Sequence, residues 1–348
     1  MDKGCLLAIK SRPSDAMPIL SYDSSGRLVP VDTIFPSDSL HALNPGLLNS
    51  LLAVAVNQTP LFFIAEQGAI DIDCQSLTAN GTPLNEAKRE FEETANKMRL
   101  AASEKYDSIT TNAALTSDDR KAELVQLSKR ETKRIVDYAM DVVKQNGDNA
   151  LGQYAFLFGI AKNRLVKADD YGKLVTATTP NVANFPPIKI ISEANSNAIA
   201  TSAGCRFRDV DLIAPDGSPA KLSNFVHEDA VNIFHIFDPY NPATPQTLAL
   251  LKKIKSHVNA YHAQHGLSPD VNIISLCEYA GEDIVNKIIG RFAIDWPMLA
   301  DPNSKFASLY GVQTMPFFII VCADSKIEER GVGEDALYNW VYTRVSVK

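Results

Sequence analysis

The stretch that decides the fold of the last third of this chain is Val231-Asn232-Ile233-Phe234-His235-Ile236-Phe237, followed at once by Asp238-Pro239-Tyr240-Asn241-Pro242-Ala243-Thr244-Pro245. The first part is an apolar run typical of a buried strand. After the proline-rich loop, apolar residues recur at helical spacing from Leu248 to Tyr261, and a second apolar run covers residues 271–276. Strand, helix and strand in this order predict a right-handed crossover between parallel neighbours. The loop 238–245 is therefore expected at the carboxyl ends of the strands, where open α/β sheets carry their functional groups.

The sequence after residue 280 continues the α/β pattern. Helical spacing covers residues 282–289, 304–310 and 334–342. Two strand-like runs, 317–321 and 327–332, are joined by a turn at Asp324-Ser325. The pattern predicts an α/β module with a central mixed sheet flanked by helices, and with an accessory hairpin before it.

Several short motifs between residues 202 and 342 carry a resemblance to a known family. They are Ala203-Gly204-Cys205-Arg206-Phe207-Arg208-Asp209, Asp216-Gly217, Leu222-Ser223-Asn224-Phe225, Trp296-Pro297 with Asp301, and Tyr310-Gly311-Val312-Gln313-Thr314-Met315-Pro316-Phe317. With these motifs the region resembles the TlpA/ResA group of thioredoxin-like thiol-disulfide oxidoreductases, within the AhpC/TSA redoxin superfamily. The resemblance implies a thioredoxin-like fold, a location in the periplasm or cell envelope, and a cis peptide bond between Met315 and Pro316. An ordinary trans turn at Pro316 stays the alternative, because cis X-Pro bonds are a minority state.

The redox motif of that group is degenerate here. Laying its W-x-x-W-C-x-x-C pattern on the loop places Phe237 and Tyr240 at the aromatic positions, Asn241 at the attacking cysteine and Thr244 at the resolving cysteine. Thr247 stands where the group tends to carry a glutamate. Thiol-disulfide exchange needs a thiolate and a second sulfur that resolves the mixed disulfide. Since neither Asn241 nor Thr244 supplies a sulfur, the scaffold is expected without the enzymatic activity of its relatives.

The loop itself is expected to be stiff. Prolines at positions 239, 242 and 245 fix their own φ angles and push the preceding residues towards extended geometry. Thr244 followed by Pro245 is also a typical helix start, so the threonine is expected to cap the helix that follows.

The first two hundred residues have a different character. Residues 1–80 alternate short apolar stretches with turn signals, which predicts a small antiparallel β domain. Residues 81–201 read as a helical segment, with helix starts at Thr82-Pro83 and at Ser117. Residues 202–348 form the predicted thioredoxin-like domain. Two stretches, Phe62-Phe63-Ile64-Ala65-Glu66-Gln67-Gly68-Ala69-Ile70-Asp71-Ile72 and Asn80-Gly81-Thr82-Pro83-Leu84-Asn85-Glu86-Ala87, resemble an uncharacterised β-rich domain that precedes thioredoxin modules in envelope proteins of Gram-negative bacteria.

Composition excludes two classes of partner. The net charge of −7 offers no basic surface of the kind that binds nucleic acid. No stretch approaches the ~20 apolar residues that span a bilayer, so no transmembrane segment is predicted in this chain. The first ten residues have too short an apolar core for a secretory signal. Because the TlpA/ResA group is exported, the resemblance implies a shortened or mature start.

Cysteines and histidines predict neither a metal site nor a cofactor. The five cysteines include no C-x-x-C pair and no metal-ligand spacing. Cys277 ends the second parallel strand and is the one thiol expected at the same sheet edge as the loop. His235 lies inside the central strand and is interpreted as a core residue. His257, His262 and His265 lie late on the helix after the loop, where imidazole interacts favourably with the helix dipole.

Three functional hypotheses follow from these observations. The leading one is a redox-inactive thioredoxin-fold envelope protein that binds an extended peptide or partner protein near Pro316 by strand addition, with Phe237, Tyr240, Asn241, Met315 and Pro316 forming the site. The alternative is a thiol-disulfide oxidoreductase that acts through Cys277 alone or with a partner's thiol. In the third, the thioredoxin-like domain is a spacer and the N-terminal two-thirds carries the function. The sequence leaves the identity of the partner and the oligomeric state open.

Overall fold

The computed structural model describes residues 4–11, 14–163, 165–265 and 271–345. The expectation about the start of the chain concerns residues 1–10, of which residues 1–3 lie outside this range. Contacts divide the chain into two compact units, Met1–Ser192 and Glu193–Lys348. The finer division of the first unit at residue 80 stays a prediction.

The first unit begins with eight strands in two four-stranded sheets. The strands are β1 (Cys5–Lys10), β2 (Met17–Tyr22), β3 (Leu28–Ile34), β4 (Leu40–Ala42), β5 (Leu51–Val56), β6 (Thr59–Ile64), β7 (Gly68–Asp73) and β8 (Thr78–Asn80). One sheet, in the order β3-β2-β5-β6, is antiparallel as predicted. The other, in the order β4-β1-β7-β8, is mixed, because β1 and β7 pair in parallel over six residues. Local turn signals do not predict that pair, since its strands are far apart in the sequence.

The helices of the first unit follow the strands. They are α1 (Pro83–Thr111), α2 (Ser117–Gln145), α3 (Ala150–Phe156), α4 (Ala168–Thr176) and α5 (Pro180–Ala183), and a π-helical turn, Leu157–Ala161, continues α3. The next helix, α6 (Pro186–Ala200), includes residues of both units. The long helices α1 and α2 pack together, and the rings of Phe91 and Tyr138 stack with centroids 5.5 Å apart. Helix α2 is capped by Thr116, one residue before the predicted start, whose hydroxyl accepts from the Asp119 amide at 3.2 Å. None of the described helices combines the length and apolarity needed to cross a membrane.

The second unit is an α/β module around one seven-stranded sheet. Its strands are β9 (Asp211–Ile213), β10 (Pro219–Lys221), β11 (Val231–Phe237), β12 (Val271–Glu278), β13 (Met298–Asp301), β14 (Phe317–Val321) and β15 (Ile327–Arg330). Its helices are α7 (Thr244–His265), α8 (Glu282–Phe292), α9 (Lys305–Tyr310) and α10 (Glu334–Val345). The sheet order is β10-β9-β13-β12-β11-β14-β15.

The central strands pair as the sequence predicts. Strands β11 and β12 are parallel from Val231 opposite Val271 to Phe237 opposite Cys277, and β14 lies antiparallel on the other side of β11. Their alternating side chains enter two separate apolar cores, one on each face of the sheet. This is the thioredoxin-like α/β fold, and the Met315-Pro316 peptide bond is cis as expected. The pairing places the loop after β11 and the end of β12 at one sheet edge.

Candidate functional site

Asn241 joins the proline-rich loop to the segment before β14. Its side-chain amide donates to the carbonyl of Met315 at 3.1 Å, and its side-chain oxygen accepts from the Ala243 amide at 2.9 Å. The loop is further closed by the Tyr240 amide, which donates to the Asp238 carboxylate at 2.8 Å. The residue at the attacking position is therefore a structural link between two chain segments.

The threonine at the resolving position also closes the loop. The Thr244 hydroxyl is buried and donates to the main-chain carbonyl of Asp238 at 2.7 Å. The expectation that this hydroxyl caps the following helix is wrong, because helix α7 already begins at Thr244 and its hydroxyl is a donor to the loop.

A carboxylate does reach the position where the TlpA/ResA group tends to carry its glutamate. Thr247 is fully buried, and its hydroxyl donates to Glu334 Oε1 at 2.6 Å. Glu334 begins helix α10, about ninety residues further along the chain. The sequence does not reveal this acid, since its contact with α7 exists only after folding has brought the two helices together.

The predicted peptide-binding residues divide into exposed and buried ones. Tyr240 is 71% exposed, and Asn241, Met315 and Pro316 are half-buried at the surface. Phe237 is fully buried, and its ring is stacked on His235 with centroids 4.9 Å apart. The expectation that Phe237 lines a binding surface is therefore wrong, because the inward face of β11 points this ring into the core.

A groove of about 200 Å³ lies between the loop and helix α8. Its loop wall is formed by Pro239, Tyr240, Asn241, Pro242, Thr244 and Pro245, and its helix wall by Ile284, Lys287, Ile288, Arg291 and Phe292. The helix residues recur at i, i+3, i+4, i+7 and i+8, which places them on one face. The sequence shows that these helix residues share one face, but it does not show that the loop lies opposite that face.

The groove combines an apolar wall with positive charge. Lys287 and Arg291 are exposed, and no carboxylate of the described residues lies within salt-bridge distance of either one. Ile284 and Phe292 are half-buried beside them. Such a surface suits a ligand that carries both an apolar side chain and a negative charge.

Cys277 lies at the predicted sheet edge but is inaccessible. Its thiol is fully buried, and burial, together with the nearby charges of Asp238 and Glu278, raises its pKa to about 12. All five cysteines are free thiols. Both the burial of Cys277 and its raised pKa disfavour a thiolate at neutral pH. The alternative that this thiol is reactive stays a prediction.

His235 is a buried, neutral core residue, as interpreted from its place in the strand. Its Nδ1 lies 3.1 Å from the Ser275 hydroxyl, which accepts from the Trp296 indole at 2.9 Å. Its Nε2 has no hydrogen-bond partner among the described residues. Burial lowers the pKa of His235 to about 3.

Two carboxyl groups face each other across the end of the sheet. Glu278 pairs with Asp301 in the β12–β13 ladder, and both side chains are buried. Asp301 accepts from the amides of Lys305 and Phe306 at the start of α9, whereas neither carboxyl oxygen of Glu278 has a hydrogen-bond partner within the described ranges. Burial first, and the charge of Asp301 second, raise the pKa of Glu278 to about 8.

Metal-ligating side chains do not cluster in the part of the chain that the structure describes. His257 stacks on Tyr342 with ring centroids 5.1 Å apart, and His265 Nδ1 lies 2.8 Å from the carbonyl of Tyr261. The second contact is of the kind expected for an imidazole in the last turn of a helix.

Comparisons with known proteins find thioredoxin folds. The chain is similar to a thioredoxin-like protein from Bacteroides caccae (14% identity, 67% of this chain and 88% of that chain, TM-score 0.43). It is also similar to a thiol:disulfide interchange protein from Bacteroides sp. (16% identity, 42% and 91%, TM-score 0.35). A third structure is the thioredoxin domain of a thiol-disulfide oxidoreductase from Bacteroides vulgatus (16%, 41% and 98%, TM-score 0.35). No family model and no curated protein matches the chain. These similarities concern the fold, and the TlpA/ResA assignment and the N-terminal β-rich resemblance stay predictions.

Proposed function

We propose that this protein is a redox-inactive thioredoxin-fold protein of the cell envelope that binds an extended segment of a partner protein beside the proline-rich loop. The observation that carries the proposal is the groove between the loop and α8. Its apolar side chains lie beside Lys287 and Arg291, and neither cation forms a salt bridge with a carboxylate of the described residues. The envelope location rests on the resemblance to the TlpA/ResA group.

The loop is suited to binding because it is already ordered. Asn241, Thr244 and the amide of Tyr240 hold it by hydrogen bonds, and three prolines restrict its backbone. A surface that is ordered before binding loses less conformational entropy when a ligand arrives. Tyr240, which is 71% exposed at the rim of the groove, is the kind of residue that dominates binding energy at interfaces.

The main-chain position before Pro316 is partly occupied. The carbonyl of Met315 accepts from Asn241, so a peptide that adds as a strand there has to displace the asparagine amide. The groove on the α8 side needs no such displacement. We therefore place the partner's side chains in the groove, and backbone pairing near Pro316 is the second contribution to binding.

The absence of redox activity in the proposal rests on the two replaced positions. Asn241 and Thr244 carry an amide and a hydroxyl, and both groups are already used in structural hydrogen bonds. The alternative that Cys277 acts alone requires a thiolate, which its burial and its pKa of about 12 oppose.

The binding part is tested with the full chain on an array of random dodecapeptides, followed by titration of the best binders. Binders are expected to carry an aromatic or aliphatic side chain near an acidic one. Tyr240→Ala and Arg291→Glu should each weaken binding by about tenfold. Lys221→Glu, a matched charge reversal on the exposed edge strand β10, should leave it unchanged.

The redox part is tested by reduction of insulin disulfides. No turnover is expected above the dithiothreitol background. Turnover that disappears on Cys277→Ala would establish the oxidoreductase alternative, and equal peptide binding by all the variants would overturn the groove as the site.

A further inference from the structure

A cavity of the first unit lies between helices α1 and α2. It measures about 630 Å³, within the range of small-molecule sites. One wall is formed by the face of α2 that carries Leu124, Leu127, Ser128, Glu131, Thr132 and Ile135. Arg99, Ala102, Ser103 and Tyr106 of α1 form the opposite wall, and Phe158, Lys162, Asn163 and Leu165 close it from the π-helical turn and the segment after it.

Both helix walls of the cavity carry small side chains. They are Ala102 and Ser103 on α1 and Ser128 and Thr132 on α2, and larger residues at these positions would fill part of the space. The apolar residues of the α2 wall are Leu124, Leu127 and Ile135, and Leu124 and Ile135 lie about 16 Å apart along the helix axis. A trough of this length and polarity suits a chain-shaped apolar group better than a compact one.

Positive charge lies at one end of this trough. The Lys105 ammonium is 2.8 Å from Glu131, which fixes the antiparallel register, so Arg99 faces the half of α2 that contains Thr132 and Ile135. Lys162 Nζ lies over the ring of Phe158, 4.2 Å from its centroid. The next residue, Gly159, packs so closely against Ala139 of α2 that a Cβ on Gly159 would lie 2.5 Å from the Ala139 Cβ. Ala139 is four residues after Ile135 on α2. Both cations are therefore near the Ile135 end.

These two cations have no acidic partner among the described residues. Arg99 donates to the Asn96 amide oxygen at 3.1 Å, and no described carboxylate lies within salt-bridge distance of Arg99 or of Lys162. The one acid of the lining, Glu131, is already neutralised by Lys105 at 2.8 Å and Arg134 at 3.3 Å. The lining as a whole therefore favours an anion.

We propose that this trough binds a long-chain carboxylate, with the acid head between Arg99 and Lys162 and the alkyl chain along α2 towards Leu124. The hydroxyls of Ser103, Ser128 and Thr132 offer further donors along the chain's path. The exposed apolar side chains of Tyr106 and Leu165 at the mouth reduce the amount of the alkyl chain that is left in water.

The test is displacement of dansyl-labelled undecanoic acid from the full-length protein. Hexadecanoic acid should displace the probe, and hexadecanol, which has the same tail without the charge, should do so at least about tenfold more weakly. The double variant Arg99→Glu/Lys162→Glu should weaken binding of the acid by about tenfold or more and leave hexadecanol unaffected. The double variant Lys97→Glu/Lys129→Glu, at exposed positions of α1 and α2 outside the lining, is the charge-matched control.

A second variant blocks the trough without changing charge. Ser128→Trp places an indole in the space and should abolish probe binding while circular dichroism and thermal unfolding show a folded chain. The proposal is overturned if the probe does not bind, if acid and alcohol bind equally, or if Ser128→Trp binds normally. It is also overturned if sedimentation shows a dimer that Ser128→Trp dissociates, because a second copy would then cover this face.

Discussion

The side-chain amide of Asn241 donates to the main-chain carbonyl of Met315 across 3.1 Å, at the place where the resemblance puts an attacking cysteine. The same side chain accepts from the Ala243 amide at 2.9 Å. A thiol could replace neither bond with comparable strength, since sulfur is a weak donor and acceptor. Asn241 therefore holds the loop through two hydrogen bonds, which is the basis of the first prediction.

Asn241→Ala should lower the free energy of unfolding by about 1–2 kcal/mol, because two hydrogen bonds are lost. Asn241→Asp keeps the acceptor for Ala243 but turns an oxygen towards the Met315 carbonyl, and its stability should recover as the pH falls, because only the protonated carboxyl can donate there. Urea unfolding between pH 4 and pH 7 measures the free energy of unfolding of both variants and of the wild type. Gln246→Ala, at an exposed position in the first turn of α7, should be neutral. A fully stable Asn241→Ala would show that the loop is held by its prolines alone.

The double variant Asn241→Cys/Thr244→Cys should gain disulfide exchange. The Thr244 amide donates to the Asn241 carbonyl at 3.0 Å, so the two positions lie on one turn. Position 241 is half-buried and position 244 is buried, which suits an attacking and a resolving thiol respectively. Insulin reduction measures the gain, and each single cysteine variant serves as the control. An inactive but folded double variant would show that the backbone of the loop does not permit the bond.

The Cys277 thiol should be unreactive in the folded protein. Its pKa of about 12 leaves very little thiolate at pH 7, and no part of it is exposed. Native labelling with dithionitrobenzoate, compared between the wild type and Cys277→Ala, isolates this thiol from the other four. The two proteins should release the same amount of thiolate when native and differ by one equivalent when unfolded. Rapid native labelling that Cys277→Ala removes would contradict the burial.

His235 should make the protein sensitive to acid. Its pKa falls from about 6.5 in the unfolded chain to about 3 in the fold. Since the folded state resists protonation, stability should be lost as the pH decreases below 6.5, by about 1.4 kcal/mol for each unit at most. His235→Phe should keep the stacking on Phe237 and Phe318 and reduce this loss. Unfolding curves from pH 7 to pH 4 measure it, and parallel losses in both proteins would exclude His235 as the cause.

Glu278 should make the protein less stable as the pH rises. Its pKa is raised to about 8, so the folded state holds a proton that the unfolded chain releases near pH 4.5. Stability should therefore decrease as the pH rises from about 4.5 to 8. Glu278→Gln, a neutral analogue of the protonated acid, should flatten this dependence. Asp335→Asn, at the exposed start of α10, is a control that should leave the slope unchanged.

Much of the fold was accessible from local patterns. The strand before the loop, the helix from Thr244 and the second strand are continuous in the sequence, and their parallel pairing follows from a general rule of handedness. The Met315-Pro316 bond and the positions of Asn241 and Thr244 came from the family resemblance. The parallel pair of β1 and β7 was not predicted, because it joins strands that local turn signals do not connect.

The sequence by itself determined the order of strands and helices in the second unit and the absence of a C-x-x-C pair from the chain, because both depend on the order and identity of neighbouring residues. Tertiary structure alone decided which side chains surround the groove proposed as the binding site. Phe237 is inside and Tyr240 outside, Glu334 reaches Thr247 from a distant helix, and α8 supplies Lys287 and Arg291 to the groove. These contacts join segments far apart in the chain, and side-chain burial and charge pairing are properties of the packed sheet and helices.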